Sequence, residues 1–157
     1  PIFAFLFGTL NISSWERLAW GAPYLVVGGA IVLAHGRVLN VLQLDEEQAR
    51  QLGINVSRAK FTVLAASSLM AATAVAIAGV IGFVGLVVPH VVRLLWGSDY
   101  RRLLPLSAIV GAVFLVATDL VGRTIFAPQE VPVGIVTAIA GGPFSLYLLR
   151  NRRMAHI

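Results

Sequence analysis

Long apolar runs alternate along the chain with short polar stretches, and the runs have the length of membrane helices. Residues 1–10, PIFAFLFGTL, form an apolar stub too short to cross a bilayer, and they start at Pro1 without an initiating Met. The stub is expected to be the tail of a helix that begins in a preceding part of a longer protein. Asn11-Ile12-Ser13-Ser14 is turn-prone, with Ser14 placed to cap a helix whose first turn holds Glu16 and Arg17. Leu18 to Gly36 is 19 residues without Lys, Arg, Asp or Glu, enough to cross a core of about 30 Å; the predicted span is 18–37. Trp15, Trp20 and Tyr24 cluster at its start as an aromatic belt.

Phe61 to Val92 is 32 residues without those charges, and as one helix it would be about 48 Å long. Gly79, Gly82 and Gly85 divide it, which predicts a helix over 59–79 and a shorter one over 83–97 returning toward the first side. Ala65, Ala66, Ser67, Ser68, Ala71, Ala72, Ala74, Ala76 and Ala78 are small enough for close backbone approach, so this helix is expected to pack inside protein. Gly97 to Arg102 is a polar turn, and Pro105 stands where a helix would begin. The next span, 104–124, closes on Asp119 and Arg123, four residues apart. Ala127 to Pro132 is a connector. The last span, 132–150, is interrupted at Gly141-Gly142-Pro143 and runs into Arg150, Arg152 and Arg153. The expected fold is all-α, a single polytopic transmembrane helical bundle over 1–157 with about five spans plus the stub.

Leu42 to Lys60, LQLDEEQARQLGINVSRAK, is the longest polar interval and holds Asp45, Glu46, Glu47, Arg50, Arg58 and Lys60. Glu46 and Arg50 stand four apart with the acid first, which supports a short helix. Gly53 follows Leu52 and can close that helix in a left-handed cap. Leu42, Leu44, Leu52 and Ile54 are the expected apolar contacts. The segment therefore reads as a short amphipathic helix, a glycine turn and a restart laid on a surface; a solvated loop is the competing reading.

Composition decides the class. Hydrophobic residues make up 58% and charged ones 12%, with mean hydropathy +0.86, whereas roughly a quarter of a soluble domain is charged. The apolar runs recur to the end of the chain, so they are not a signal peptide. Without cysteine there is neither a disulfide nor a thiolate metal site. The net charge of +5 lies at the ends of spans, so it marks topology, and nucleic acid is not an expected partner. Arg37, Arg50, Arg58, Lys60, Arg93, Arg101, Arg102, Arg150, Arg152 and Arg153 fall on one side; only Arg17 and Arg123 fall on the other. By the positive-inside rule, the 42–60 segment and the C-terminus are cytoplasmic and the 13–17 and 127–132 turns face out.

Candidate chemistry is sparse. No glycine loop is followed by a Lys that could hold ATP, and no nucleophile–base or paired intramembrane carboxylates stand out, so neither catalytic residues, metal nor cofactor is expected. On residues alone, Arg123 is a snorkelling anchor or the partner of Asp119 within one helix. His90, after Pro89, has no second His, Asp or Glu within about a turn, and is expected to hydrogen-bond across helices structurally. Gly141-Gly142-Pro143 is either a gating hinge or a close-packing notch.

The run GVIGFVGLVVPHVVRLLWGSDYRRLLPLSAIVGA, then ATDLVGR and APQEVPVGIVTAIAGGPFSLYLL, resembles the permeases of iron-chelate (siderophore), haem and cobalamin ABC importers. The likeness extends from about Asn11 to Arg153. It implies the C-terminal half of a ten-helix permease, from the end of the fifth helix through the tenth, in the cell membrane of a prokaryote. Implied partners are a second permease copy, two ATP-binding subunits that hydrolyse the ATP, and a periplasmic or lipid-anchored substrate-binding protein. Glu47, Ala49 and Gly53 match the Glu-x-Ala-x-x-x-Gly pattern of importer coupling loops, so the resemblance makes 42–55, with Asp45, Glu46 and Arg50, the ATPase-coupling segment. It likewise makes Arg123 the receiver of an acidic knob on the binding protein.

Two other classes fit the composition. An ion-coupled secondary transporter would need carboxylates within its spans, where only Asp119 qualifies, and Arg123 stands beside it. A non-transport membrane scaffold would have no need of the Glu47, Ala49, Gly53 loop.

Overall fold

The computed structural model describes residues 2–8, 10, 15–125, 127 and 131–154. The expected Ser14 cap and most of the 127–132 connector lie outside the described residues. Every regular element among the described residues is a helix: α1 (Ile2–Phe7), α2 (Trp15–Ala34), α3 (Gly36–Leu44), α4 (Glu46–Gln51), α5 (Val56–Ala78), α6 (Val84–Trp96), α7 (Tyr100–Ile125) and α8 (Val133–Met154). Four of them, α2, α5, α7 and α8, are long and apolar enough to cross a membrane. The fifth expected span is α6, whose 13 residues reach only about 20 Å and cannot cross alone.

Backbone contacts sort the helix ends into two sets. At one end, the Val80 N–H donates to Phe5 O at 3.0 Å, and Gly134 abuts Phe7 O. Gly79, at φ +77°, leaves room there that no side chain could take, since a Cβ would stand 2.6 Å from Phe5 O. Gly122 meets Val131 O at the same end. At the opposite end, Gly36 lies against the Arg101 backbone and α3 hydrogen-bonds the α6–α7 turn. The 36–60 segment, the 97–102 turn and the end of α8 therefore share one end, the one that carries most of the arginines and lysines.

Several expectations need correcting. The first span ends at Ala34, where His35 Nδ1 approaches Ile31 O at 2.8 Å, and the chain then stays helical as α3 instead of entering a loop at Arg37. α7 begins at Tyr100, so Pro105 is its sixth residue. The cause is Asp99, whose side chain accepts from Arg101 N at 3.0 Å and whose carbonyl accepts from Leu103 N at 2.8 Å. α8 runs unbroken through Gly141-Gly142-Pro143. α5 packs on α2 along one stripe, where Gly28 abuts Met70 and Ala66 O and Gly21 abuts Ile77. Ala65, Ser68, Ala72 and Ala76 are exposed within this chain.

Candidate functional site

α4 is a single short helix held by caps at both ends. Asp45 has extended backbone (φ −168°, ψ 143°), and its carboxylate accepts from Glu47 N at 3.3 Å. At the other end, Gly53 N donates to Arg50 O (3.0 Å) and Ile54 N to Ala49 O (3.1 Å). Those paired bonds with a left-handed glycine, here at φ +79°, make a Schellman cap. Six residues would not hold a helix in water alone, so the caps and the flanking helices set its shape. The expected helix–glycine–restart order is present, with Asn55 capping α5 through Arg58 N.

Ala49 is the only buried residue of α4, at 0% exposure. Its methyl is the face by which α4 sits on the bundle. Glu46 is drawn to Lys60 of α5 as an ion pair, not to Arg50 as the helical spacing suggested. Glu47, Gln48, Arg50 and Gln51 are exposed. Leu42 and Ile54 are half-buried, but Leu44 and Leu52 are 75% and 69% exposed and so are not the inward contacts expected of them. The outward surface thus combines exposed charges on a capped short helix with the flanking leucines Leu44 and Leu52, a composition suited to a polar protein interface.

The second expected site lies at the far end of α7. Arg123 Nε donates to Asp119 Oδ2 at 2.8 Å, and the side chains are 45% and 24% exposed. Among the described residues the guanidinium's one hydrogen bond is this one, and the Asp119 carboxylate orients it. Asp119 and Arg123 lie 19 and 23 residues beyond Tyr100 on α7, so the pair stands roughly 30–35 Å along the helix axis from the start of that helix.

Within the glycine-rich stretch of α8, Gly141 is closely packed. A Cβ on Gly141 would collide with Cβ and the ring of Phe83, which holds a left-handed backbone (φ 66°) at the start of α6; Gly142 has open space around it. His90 of α6 meets Phe144 of α8 edge-on, with ring centroids 5.9 Å apart, an aromatic contact in place of the expected hydrogen bond. Sequence reasoning missed Asn40 and Gln43 of α3, which bind the α6–α7 turn, and Phe83. Two amides three residues apart on one helix face were the available signal for the first pair.

A helical chain with four membrane-length spans, a capped short helix at its basic end and an exposed arginine at the other has the architecture of a polytopic membrane protein. A model of the FecCD transport family matches residues 1–151, and the chain belongs to that family. It is 47% identical to the ABC transporter permease protein YvrB of Bacillus subtilis, over 98% of this chain and 44% of that protein. It is 51% identical to the cobalamin import system permease protein BtuC of Halobacterium salinarum, over 98% of this chain and 41% of that protein. The hemin transport system permease protein HmuU of Yersinia pestis is 42% identical, over 93% and 44%. A solved structure of a metal-chelate type ABC transporter in an inward-facing conformation superposes with a TM-score of 0.82 at 33% identity, covering 96% of this chain and 48% of that one. The chain thus spans less than half the length of the curated relatives it matches.

Proposed function

We propose that the chain is the C-terminal half of the permease of an ATP-driven importer for an iron–siderophore, haem or cobalamin. α4 docks in a groove of an ATP-binding subunit, and the end of the bundle that carries it is cytoplasmic. Arg123 receives a carboxylate of the substrate-binding protein on the outer side. A second permease copy completes the pathway and two ATP-binding subunits drive it. The subunit itself does no chemistry: hydrolysis belongs to its partners, and their closure rocks the helices through residues 42–55. Family membership supports this, as do relatives described as cobalamin and hemin import permeases.

The observation that carries the reading is the geometry of α4: capped at both ends, seated by Ala49, and turning Glu47, Arg50, Leu44 and Leu52 outward. An ion-coupled secondary transporter finds less support, because among the four long spans the carboxylates are Glu16, in the first turn of α2, and Asp119, which is held by Arg123. The test is a single cysteine at Glu47 in the complete permease, paired with a cysteine scan of the ATPase groove. ATP-sensitive crosslinks are expected. A folded complex that crosslinks at no groove position would return α4 to a solvated loop.

A further inference from the structure

Three side-chain amide bonds join α3 to the turn that starts α7. Asn40 Nδ2 donates to Asp99 Oδ1 at 2.6 Å, and Asn40 Oδ1 accepts from Tyr100 N at 2.7 Å. Gln43 Nε2 donates to Ser98 O at 3.1 Å. One turn earlier, Gly36 is buried against the Arg101 backbone, where a Cβ would already stand 3.5 Å from Arg101 Cα. The grip is directional, because each bond fixes distance and angle. Beside the clamp, α3 faces α5 across an open cleft of about 370 Å³ whose walls are mainly apolar, from Leu39, Leu42, Val63 and Leu64, with Gln43, Lys60 and Tyr100 also lining it. Apolar walls around open space resist sliding far less than aligned hydrogen bonds do. α3 is thus fastened to the start of α7 and loosely seated against α5.

We propose that Asn40 and Gln43, gripping Ser98, Asp99 and Tyr100, are positioning residues that make α3 and the start of α7 move as one body, so that a push on α4 reaches α6 and α7. α3 and α4 share Asp45 as end cap and start cap, so displacement of α4 pulls directly on α3. α5 receives the same push through residues 52–55; the clamp adds a second output. Beyond the turn, Tyr100 packs with Val88, Val92 and Leu103, the buried cluster that joins α6 to α7. Asp99 also starts α7 by accepting from Arg101 N, so the residue that is gripped is the one that anchors the helix. Its carboxyl is held below the usual value by the Asn40 hydrogen bond first and the Arg101 amide next, which keeps it an acceptor. The inference rests on α4 being the ATPase-docking element.

The test uses the complete permease with its ATPase and binding protein in proteoliposomes, reading substrate transported per ATP hydrolysed. Asn40→Asp sets a carboxylate against Asp99. Transport per ATP should fall at least about tenfold, the lower end of the worth of one hydrogen bond to a charged group, with the ATPase still bound. Asn40→Asp combined with Asp99→Asn reverses the donor and acceptor, leaves Tyr100 N–H its partner, and should restore the ratio. An unchanged ratio in Asn40→Asp, or a folded double variant that stays uncoupled, overturns the clamp. Should Asn40→Asp fail to assemble, Gln43→Cys and Ser98→Cys in a cysteine-free background, bridged by a short bis-thiosulfonate, decide the matter. A bridge that leaves transport intact supports one-body motion, and a bridge that arrests transport overturns it. A wild-type permease that recruits no ATPase refutes the docking reading itself, and the clamp's role with it.

Discussion

Gly53→Ala isolates the backbone of the α4 cap from its surface. Gly53 holds φ +79°, and a Cβ built there meets nothing within 4 Å. The substitution therefore brings no clash, only the left-handed penalty of an L-residue, about 1–2 kcal/mol. That lowers the population of the intact cap by roughly 5- to 30-fold. The natural reporter is the Ile54 amide, which closes the cap onto Ala49 O, and its hydrogen-exchange protection in the purified permease should fall by that factor. Gly53→Asn is the control, because asparagine tolerates the left-handed region; it should lie between Gly and Ala, with Gly53→Val worst. ATP-driven transport should decline in the same order if the cap sets the stiffness of α4. Protection in Gly53→Ala equal to wild type would refute the argument, as would Asn proving as damaging as Val, since bulk and not φ would then be limiting.

Arg123→Glu should cost less than about 1 kcal/mol of stability, because an exposed i,i+4 pair and the like-charge pair replacing it are each weak. Binding-protein docking, measured by surface plasmon resonance on nanodiscs, should weaken at least about tenfold, and unchanged docking would remove Arg123 from the interface. Gly141→Ala should destabilise the purified protein by about 1–3 kcal/mol, through the collision with Phe83. Adding Phe83→Gly removes the ring and the left-handed strain together, so thermal unfolding should show the double variant losing less than the sum of the singles; additive losses would refute the contact. The Asn40 hydrogen bond, and next the Arg101 amide, hold the Asp99 carboxyl below its ordinary value, so its contribution is present above the ordinary carboxylate range and is lost as pH falls through the lowered value. The difference in thermal midpoint between wild type and Asp99→Asn should persist at neutral and mildly acid pH and close only below the ordinary carboxylate range; closure at mildly acid pH would refute the assignment.

What could be read in the chain beforehand was whatever depends on neighbours in sequence. Uncharged runs locate α2, α5, α7 and α8 because crossing a bilayer is a matter of length and polarity alone. The Asp119–Arg123 pair and the Gly53 cap follow from spacings of four and one. Long-range pairing was not legible. Asn40 and Asp99 lie 59 residues apart; the two amides in GRVLNVLQL mark a face able to hydrogen-bond, but nothing there names the distant turn it binds. Pro105 misled for a related reason: an N-terminal preference was outweighed by Asp99, an acceptor already placed to start the helix five residues earlier than predicted. Gly141-Gly142-Pro143 carries helix-breaking residues, yet α8 continues, because Gly141 answers to the size of Phe83 and not to its own flexibility.

α7 joins the two proposed partner sites, which puts a mechanical demand on a helix with a weak point. Pro105 has no N–H, so the Arg101 carbonyl lacks its helical partner and bending is easiest in the first turns. A push delivered at Asp99 and Tyr100 would be absorbed there unless something held both sides of the proline. α6 does so. The Val88 and Val92 cluster contacts Tyr100 and Leu103 before Pro105, and Leu106, Val110 and Phe114 after it. α6 is too short to cross a bilayer, but its 13 residues are long enough to splint the proline. The rest of α7, hydrogen-bonded along its axis, then carries displacement toward Asp119 and Arg123 as tilt instead of compression. On this reading the short helix is what stiffens the link between the ATPase side and the binding-protein side. Loosening it at Val92, which is fully buried, should uncouple the two ends even with both partner surfaces intact.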